Sequence, residues 1–509
     1  MRYGKRVAAL AAITSLVLVA CGDDDDGGSG TADTEATGGS AAPDATSAPV
    51  GTEASDGTEA PEGTEASEGT TAADGTTASD GTTGGDAEGL LDGEIPCEQQ
   101  YEGKTVTLLS PVRNSETDPD AVQIFTDFWQ PLVDCTGVTI DFQGTDQFEV
   151  QAPVLIQGGS PPDVIDFPQP GLLRTLAPNL ITLPDDLAES AADDFIDGWE
   201  DLYTVDGEVK AIPWRANVKS TVWYSPAAFE EGGYEVPETL EELTALSDQI
   251  VADGGTPWCA GIESGVATGW PITDWFEDFM LRINGPEVYD QWVSHEIPFN
   301  DPQVLAVADA VGAILQNPDY MGGENNVTAI ATTKFQEGGF PIVDGNCYMH
   351  RQASFYSNLF PTENAAGEPV TVGPPDSGSD ITYFYLPVAE EGDPRVMLGA
   401  GDLLAAGTDK PESWDVIRYA VSNEYAVAMA NGHAELSPRN DIDASLIDDP
   451  LLASFADLLA STEIFRFDGA DMMPSAVGSG SFWTEATAWI VGGDTQAMLD
   501  NIEASWPAD

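Results

Sequence analysis

The residue types that catalyse reactions are present, but their spacing matches no catalytic motif. The three histidines, His295, His350 and His433, have no companion residues that suggest a catalytic triad. The segment YEGKTV fails as a phosphate-binding loop, because Glu98 replaces the first glycine and the motif precedes a predicted strand. The segment GIESGV misplaces the serine of a nucleophile elbow. One enzymatic alternative stays open, a secreted glycosidase whose two carboxylates stand among the 88 acidic residues.

Cys21 stands where an apolar run meets four aspartates. The chain opens with three basic residues and a 14-residue apolar run that ends at Ala20, which is too short to span a bilayer and fits a secretory signal. The residues LVAC resemble the lipobox of bacterial lipoproteins. This resemblance implies a signal peptide over residues 1–20, diacylation of Cys21, and a protein anchored to the outer face of the cell membrane.

Residues 21–96 have the composition of a disordered acidic tether. From Gly22 to Pro96 there is no lysine, no arginine and almost no bulky apolar residue. A hexad of the type GTEASD repeats six times between Gly51 and Asp86. Such a segment cannot bury enough apolar surface to offset the entropy of ordering. We therefore expect it to connect the lipid anchor to the folded part of the chain.

Four cysteines follow the tether in a secreted context that permits disulfides, and three pairings of them are possible. Cys97 precedes a predicted strand and Cys135 ends the helix after it, and these two positions meet at one edge of a βαβ unit. Position therefore favours Cys97 with Cys135, which leaves Cys259 with Cys347. We expect no metal, because neither a CxxC pair nor two histidines at ligand spacing are present.

The chain is strongly acidic and long enough for more than one core. Its formal charge is −71, and removal of the three leader cations would make it more negative still. This charge excludes nucleic acid as a partner. The segment from Cys97 to Asp509 exceeds the size at which single cores stop growing, so we expect at least two lobes.

Strands and helices alternate in the first part of this segment. TVTLLS, VTIDF and PDVIDF read as short apolar strands separated by helices near residues 118–134 and 147–156. The Asp-Gly pair in VDGEV predicts a hairpin. The pattern favours a mostly parallel sheet, whose ligands bind at the carboxyl ends of the strands.

Several longer stretches together resemble the extracytoplasmic solute-binding proteins of ABC importers, in particular the carbohydrate-binding family 1 group and its α-glucoside receptors. They are GGSPPDVIDFPQPG, IPWRANVKSTVWYSP, WCAGIESGVATGWPITDW, CYMHRQASF, VMLGAGDLLAAG, FRFDGADMMP and GSFWTEATAWIVGG. The resemblance implies a two-lobed α/β fold of the type II periplasmic-binding-protein kind, with a hinge between the lobes. It places the first lobe at residues 97–217 and 403–436, and the second at 218–402 and 437–509.

The resemblance also implies a sugar site in the cleft between the lobes. A sugar ring has apolar C–H faces and a polar rim, so its site needs aromatic platforms and planar hydrogen-bonding groups. Trp270 and Trp483 match the family's stacking positions, whereas Trp275, Phe482 and Trp489 are expected in the core. For each cation a structural ion pair is the alternative reading. The candidate ligand-binding residues are Arg113, Gln169, Asn217, Lys219, Glu263, Trp270, Arg351, Asp402 and Trp483.

The expected function is therefore capture of a sugar, an α-glucoside or another oligosaccharide, and its delivery to the permease of an ABC importer. We expect a monomer without a cofactor. A polyamine-binding protein of the same fold is a second alternative, which a cleft rich in unpaired carboxylates would favour.

Overall fold

A computed structural model describes residues 89–114, 120–196, 198–321, 327–433 and 435–508. The predicted signal peptide, the lipidated Cys21 and most of the predicted tether lie outside these residues. Within the described part of the chain, no helix combines the length and apolar character needed to cross a membrane.

The structure alternates short strands with helices. The strands are β1 Gly89–Leu90, β2 Ile95–Pro96, β3 Thr105–Ser110, β4 Thr139–Gly144, β5 Val164–Phe167, β6 Thr204–Val205, β7 Glu208–Val209, β8 Ala211–Val218, β9 Thr221–Tyr224, β10 Met349–Arg351, β11 Thr382–Tyr385, β12 Val396–Ala406 and β13 Ile464–Phe467.

The described helices are 4 to 15 residues long. They are α1 Ala121–Asp127, α2 Gln130–Thr136, α3 Phe148–Gln157, α4 Pro170–Leu176, α5 Asp185–Asp193, α6 Glu200–Tyr203, α7 Pro226–Gly232, α8 Leu240–Ala252, α9 Trp270–Asn284, α10 Pro286–Val293, α11 Pro302–Leu315, α12 Pro411–Ala420, α13 Asn423–His433, α14 Pro450–Ala460, α15 Gly469–Met472, α16 Trp483–Ile490 and α17 Thr495–Glu503.

The first lobe is built on the six-stranded sheet. Strand β3 lies between β4 and β5 and pairs with both in parallel, and β12 pairs antiparallel with β5 and β8. All four residues of β5 are buried, as expected for a strand with covered faces. The three predicted strands and the β6–β7 hairpin at Asp206-Gly207 are confirmed. The predicted helix over residues 118–134 is instead two helices, and Pro131 stands in the first turn of the second.

The second lobe packs helices around a smaller antiparallel sheet of order β10-β9-β11. Its core draws on residues between Val222 and Leu398 and between Ala470 and Ile502, whereas the first core draws mainly on residues between Ile95 and Ala216 and between Ala400 and Met429. Trp275, Phe482 and Trp489 are buried in the second core, which confirms their predicted role.

Two adjacent strands carry the chain between the cores. Strand β12 is buried over all 11 residues. Its first half pairs with β13 and its second half with β5, while β8 pairs along most of its length. Its register against β8 shifts between Asp402 and Leu403. Side chains of β8 and β12 are therefore held at the junction of the two lobes by strand pairing.

Both predicted disulfides, Cys97–Cys135 and Cys259–Cys347, are present. The described residues include 89–96, which fall within the predicted tether of residues 21–96. Strands β1 and β2 form a small hairpin, and Ile95 is fully buried in the first core. The few apolar side chains in this stretch pack against the first core, whereas the repeats contain almost none.

Candidate functional site

A cavity of about 280 Å³ lies at the junction of the lobes, beyond the carboxyl ends of β3 and β5. This is the edge at which ligands of parallel sheets bind. Both lobes contribute to its wall. Of the nine predicted ligand-binding residues, seven line it: Arg113, Gln169, Asn217, Lys219, Trp270, Asp402 and Trp483.

Loops after β3 and β5 form the first-lobe wall. The loop that carries Arg113 packs against Gly144 at the end of β4, where a Cβ would overlap the carbonyl oxygen of Val112. Gln169 precedes α4 and donates from Nε2 to Oε1 of Glu149 at 3.2 Å. Burial raises the pKa of Glu149, although hydrogen bonds partly offset the rise. The wall thus offers planar amide and guanidinium groups beside a carboxyl group.

Arg215 on β8 holds three carboxylates at the floor of the cavity. Its guanidinium contacts Asp402, and lies 3.8 Å from Asp166 and 3.9 Å from Glu435. It also lies over the rings of Phe125 and Trp214. Burial alone would lower the pKa of Arg215, but the three carboxylates raise it overall. The guanidinium therefore stays charged and acts first as a counterion.

Lys219, in the second lobe, contacts a second set of carboxylates. Its Nζ lies 2.9 Å from Oδ1 of Asp274 and 2.5 Å from Oδ2 of Asp468, and 5.3 Å from the ring centroid of Trp270. Burial lowers the pKa of Lys219, yet these carboxylates raise it well above its usual value. The ammonium thus lies beneath the aromatic wall as a fixed charge.

This second set includes three carboxylates that are close enough together to hold a metal ion, and it is the one such set among the described residues. Ligand atoms of Asp274, Glu277 and Asp468 lie within 4.8 Å of one another. The ammonium of Lys219 already contacts two of the three. A lysine thus supplies the positive charge that a cation would bring.

Aromatic rings form the second-lobe wall. Trp270 begins α9 and meets Phe335 and Phe355 at centroid distances of 5.1 and 6.2 Å. Gly269 precedes it with a φ of 115°, and a Cβ there would overlap the carbonyl oxygen of Trp483. Glycine is required at this position for both reasons. It brings the two predicted stacking tryptophans against the same cavity.

Four polar atoms around the cavity are buried and have no hydrogen-bond partner among the residues that the structure describes. Buried polar groups are normally paired, and an unpaired one costs about 1 to 3 kcal/mol. A ligand with several hydroxyl groups would satisfy donors and acceptors of this kind. The atoms are Gln169 Oε1, Arg215 Nε, Asn217 Oδ1 and Trp483 Nε1.

Two predicted residues lie outside the cavity wall. Arg351 on β10 is buried and paired with Asp274 at 3.0 Å and Asp278 at 2.5 Å, which is the structural ion pair of the alternative reading. Glu263 accepts a hydrogen bond from the backbone of Gly265, two residues later. The structure brings neither side chain to the cavity.

Sequence reasoning left several wall residues out of the predicted set. Asp468 and Asp471 lie within FRFDGADMMP, one of the stretches that carry the family resemblance, so a signal for them was available. Arg215, in IPWRANVKSTVWYSP, and Phe355, at the end of CYMHRQASF, had the same signal. Phe335 had none, because it stands on a short 3-10 turn outside these stretches. The residues are Glu149, Arg215, Phe335, Phe355, Asn358, Glu435, Asp468 and Asp471.

Relatives with assigned roles cover most of the chain. The osmoprotective compounds-binding protein GgtB of Synechocystis sp. is 40% identical over 382 residues, which are 74% of this chain and 87% of GgtB. The alpha-glucosides-binding periplasmic protein AglE of Rhizobium meliloti is 35% identical over 423 residues, 80% of this chain and 87% of AglE.

Solved structures share the fold at lower identity. A chitin oligosaccharide binding protein superposes with a TM-score of 0.65 at 16% identity, over 79% of this chain and 97% of that one. The raffinose complex of RafE superposes with a TM-score of 0.60 at 17% identity, over 79% and 98%. These matches show the two-lobed fold.

The sequence also matches a model of a protein family. Residues 124–427, more than half of the chain, match the family described as bacterial extracellular solute-binding proteins. This match agrees with the resemblance drawn from the sequence motifs. The chain belongs to the bacterial extracellular solute-binding proteins.

Proposed function

We propose that this protein captures an α-glucoside, or a related glycoside, in its interlobe cavity and delivers it to the permease of an ABC importer. The observation that carries the proposal is the pairing of an aromatic wall with buried, unpartnered polar atoms around one cavity. AglE is an alpha-glucosides-binding protein and GgtB an osmoprotective compounds-binding protein, and their roles support this ligand class.

The two walls would share the work of recognition. Trp270 and Trp483 would cover the apolar faces of the sugar, as aromatic residues do in ligand pockets. Asn217 and Gln169 would accept hydrogen bonds from its hydroxyl groups through Oδ1 and Oε1. Because these groups belong to both lobes and to β8, a bound sugar would hold the lobes together, and the permease would read the closed form.

The pairing of the carboxylates in the cavity wall favours sugar binding over a glycosidase or a polyamine site. Asp402 and Glu435 both face Arg215, and Asp468 contacts Lys219. A glycosidase needs one carboxylic acid and one carboxylate free to act on the sugar, and a polyamine site needs unpaired anions. Three of the five acidic residues in the wall are tied to cations of the protein itself, and a fourth, Glu149, accepts a hydrogen bond from Gln169.

We further propose that the lipobox anchors the mature chain through Cys21 and that the protein acts as a monomer. For the lobe boundaries we propose changes near residues 217, 402 and 436; at the first two, β8 and β12 leave the first core. Fatty-acid labelling of the wild type should exceed that of Cys21→Ala. Equal labelling would contradict the anchor.

Calorimetric titration tests the ligand class. Maltose, trehalose and sucrose represent α-glucosides, cellobiose is the β-linked control, and spermidine tests the polyamine alternative. We expect an α-glucoside to bind the wild type and to bind Asn217→Ala more weakly, because an unpaired acceptor is lost. Binding of spermidine alone, or release of glucose from the sugars during incubation, would contradict the proposal.

A further inference from the structure

Helices α4 and α15 bring the two lobes into backbone contact beside the cavity. Helix α4 contributes side chains to the first core and α15 to the second. A Cβ at Gly171 on α4 would overlap the carbonyl oxygen of Met473 and would lie 3.1 Å from that of Asp471. Arg174, one turn later, donates from Nη1 to the carbonyl oxygen of Met472 at 2.8 Å. Because glycine allows this close approach, the two helices meet directly at this edge of the cavity.

A polar side chain stands in the cavity wall on each side of this contact. Gln169 directly precedes α4 and Asp471 lies on α15, and both residues line the cavity. Nε2 of Gln169 donates to Glu149, while its Oε1 is buried without a partner. Among the described residues, Asp471 is bonded only through its backbone N–H, which donates to Asp468. Two hydrogen-bond acceptors from opposite lobes therefore border the cavity without a donor.

The carboxyl group of Asp471 differs from those of the other four acidic residues in the wall, which all have partners. Burial and the neighbouring Asp468 raise the pKa of Asp471 well above its usual value, and Lys219 opposes the rise. A ligand that displaces water from the cavity would remove the solvent around this carboxyl group. That loss is costly unless the ligand itself donates hydrogen bonds to the group.

We propose that Gln169 and Asp471 select the ligand by binding two hydroxyl groups of one sugar ring, with one acceptor from each lobe. This inference rests on the proposed function and names the residues that determine its specificity. A diol supplies two O–H donors close together, as two acceptors without a donor require. A site built to hydrogen-bond a hydroxyl group rejects the analogue that lacks it. The ligand is therefore a glycoside with a free pair of hydroxyl groups, and its ring connects α4 to α15.

A double-mutant cycle combined with modified sugars tests the inference. The wild type, Gln169→Ala, Asp471→Ala and the double variant are titrated calorimetrically with maltose, trehalose and sucrose. The same three sugars are also titrated with one hydroxyl group of the glucosyl ring replaced by hydrogen, one position at a time. Asp309→Ala is the control, because Asp309 is exposed on α11 and has no partner among the described residues. Melting temperatures are recorded for every variant.

We expect each single variant to weaken sugar binding by about tenfold or more. The double variant should lose less than the product of the two losses, because both acceptors hold the same ring. One deoxy sugar should bind the wild type about tenfold more weakly than its parent, yet bind Asp471→Ala as well as the parent does. A residue that only supported the fold would lower the affinity for every analogue alike, and Asp309→Ala should match the wild type throughout.

Three results would each overturn the inference and leave the proposed function intact. They are wild-type affinity in either single variant, losses that simply multiply in the double variant, and a deoxy series that Asp471→Ala distinguishes in the same way as the wild type. If the wild type binds none of the three sugars, the proposed function fails, and the inference fails with it.

Discussion

The two buried cations of the cleft, Arg215 and Lys219, are counterions before they are ligand contacts. Each touches at least two carboxylates from separate parts of the chain. Removing one member of such a buried group leaves uncompensated charge and costs about 3 to 5 kcal/mol. Loss of sugar binding after substitution of either residue would therefore report on folding as much as on recognition.

Trp270 offers a cleaner test of recognition, because it is half-buried and lies over the cavity. Loss of an indole from a sugar face removes about 1.5 to 3 kcal/mol of apolar contact. We expect Trp270→Ala to weaken sugar binding by about tenfold to hundredfold in calorimetric titration. Trp506→Ala is the control, since Trp506 is also half-buried but stacks on His295 away from the cavity. Equal affinity of the two variants would place the sugar elsewhere.

His350 makes the stability of the fold depend on pH. Burial lowers its pKa to about 4, and the nearby charge of Arg351 adds to the effect, although the hydrogen bond to the carbonyl of Cys259 opposes it. The unfolded chain takes up a proton near pH 6.5 and the folded chain does not, so stability falls as the pH drops from about 6.5 to 4.

We expect His350→Gln to reduce the loss of unfolding free energy between pH 7 and pH 4 by up to about 3 kcal/mol. Urea titrations at both pH values measure it. His295→Gln, at a partly exposed histidine, is the control. An unchanged acid dependence in His350→Gln would mean that the imidazole is protonated inside the folded protein.

The sequence predicts which segments surround the cleft better than where each side chain points. Successive residues of a strand face opposite sides, so a motif that reaches the cleft carries residues that do not. Arg351 is such a case. Its carboxylate partners Asp274 and Asp278 stand four residues apart on α9, but nothing in a single sequence pairs them with a strand more than 70 residues later.

At the scale of elements, helix α9 shows why polar patterning can mislead. Every residue from Pro271 to Arg282 is buried, including Asp274, Glu277 and Asp278. A helix with these charges reads as half-exposed from its sequence. It is covered because Lys219 and Arg351 come from distant parts of the chain to neutralise one face. The strands and turns of the first lobe, in contrast, follow from local patterns.

We expect Gly269 to determine how closely Trp270 and Trp483 approach each other in the aromatic wall. A side chain there would strain the backbone at a φ of 115° and overlap the carbonyl oxygen of Trp483. We expect Gly269→Ala to lower both the melting temperature and the sugar affinity. Gly254→Ala is the matched control, since Gly254 has a φ of 87° but no atom near the added Cβ.

The two variants should separate the effect of backbone strain at a positive φ from the effect of displacing Trp483. Gly254→Ala should cost about 1 kcal/mol of stability through strain alone and leave affinity unchanged. If thermal melts and titrations of the two variants coincide, the close approach to Trp483 does not position the wall.

At the scale of the whole molecule, the family resemblance predicted the two lobes, and the comparisons confirm the family. The predicted tether runs to residue 96 and so includes the β1–β2 hairpin, because composition averages over a window and the buried Ile95 is a single residue at its edge. The pairing of β8 with β12 at the junction of the lobes joins residues almost 200 positions apart, which local patterns do not encode.

The acidic surface predicts a marked dependence on salt. Lys210, Arg215, Lys219, Arg282 and Arg351 are buried, so the exposed surface is even more one-sided than the composition. Added salt shortens the Debye length from about 30 Å at 0.01 M to about 10 Å at 0.1 M. We expect the melting temperature to rise by several degrees as NaCl or KCl is raised over this range. A fall in both salts would show that ion pairs, rather than repulsion, dominate the net effect.

The same distribution of cations decides how the protein can be labelled. Only five lysines follow the leader, and Lys210 and Lys219 have buried ammonium groups engaged by carboxylates. Lys104 and Lys410 are exposed beside β3 and α12, while Lys334 is exposed next to Phe335 of the aromatic wall. Among the described residues, amine-reactive dyes can thus reach three exposed lysines, one of them at the cleft. Replacing Lys104 and Lys410 by arginine would leave Lys334 as the one exposed lysine among the described residues, and with the α-amino group acylated a sugar sensor could be made without an added cysteine beside the two disulfides.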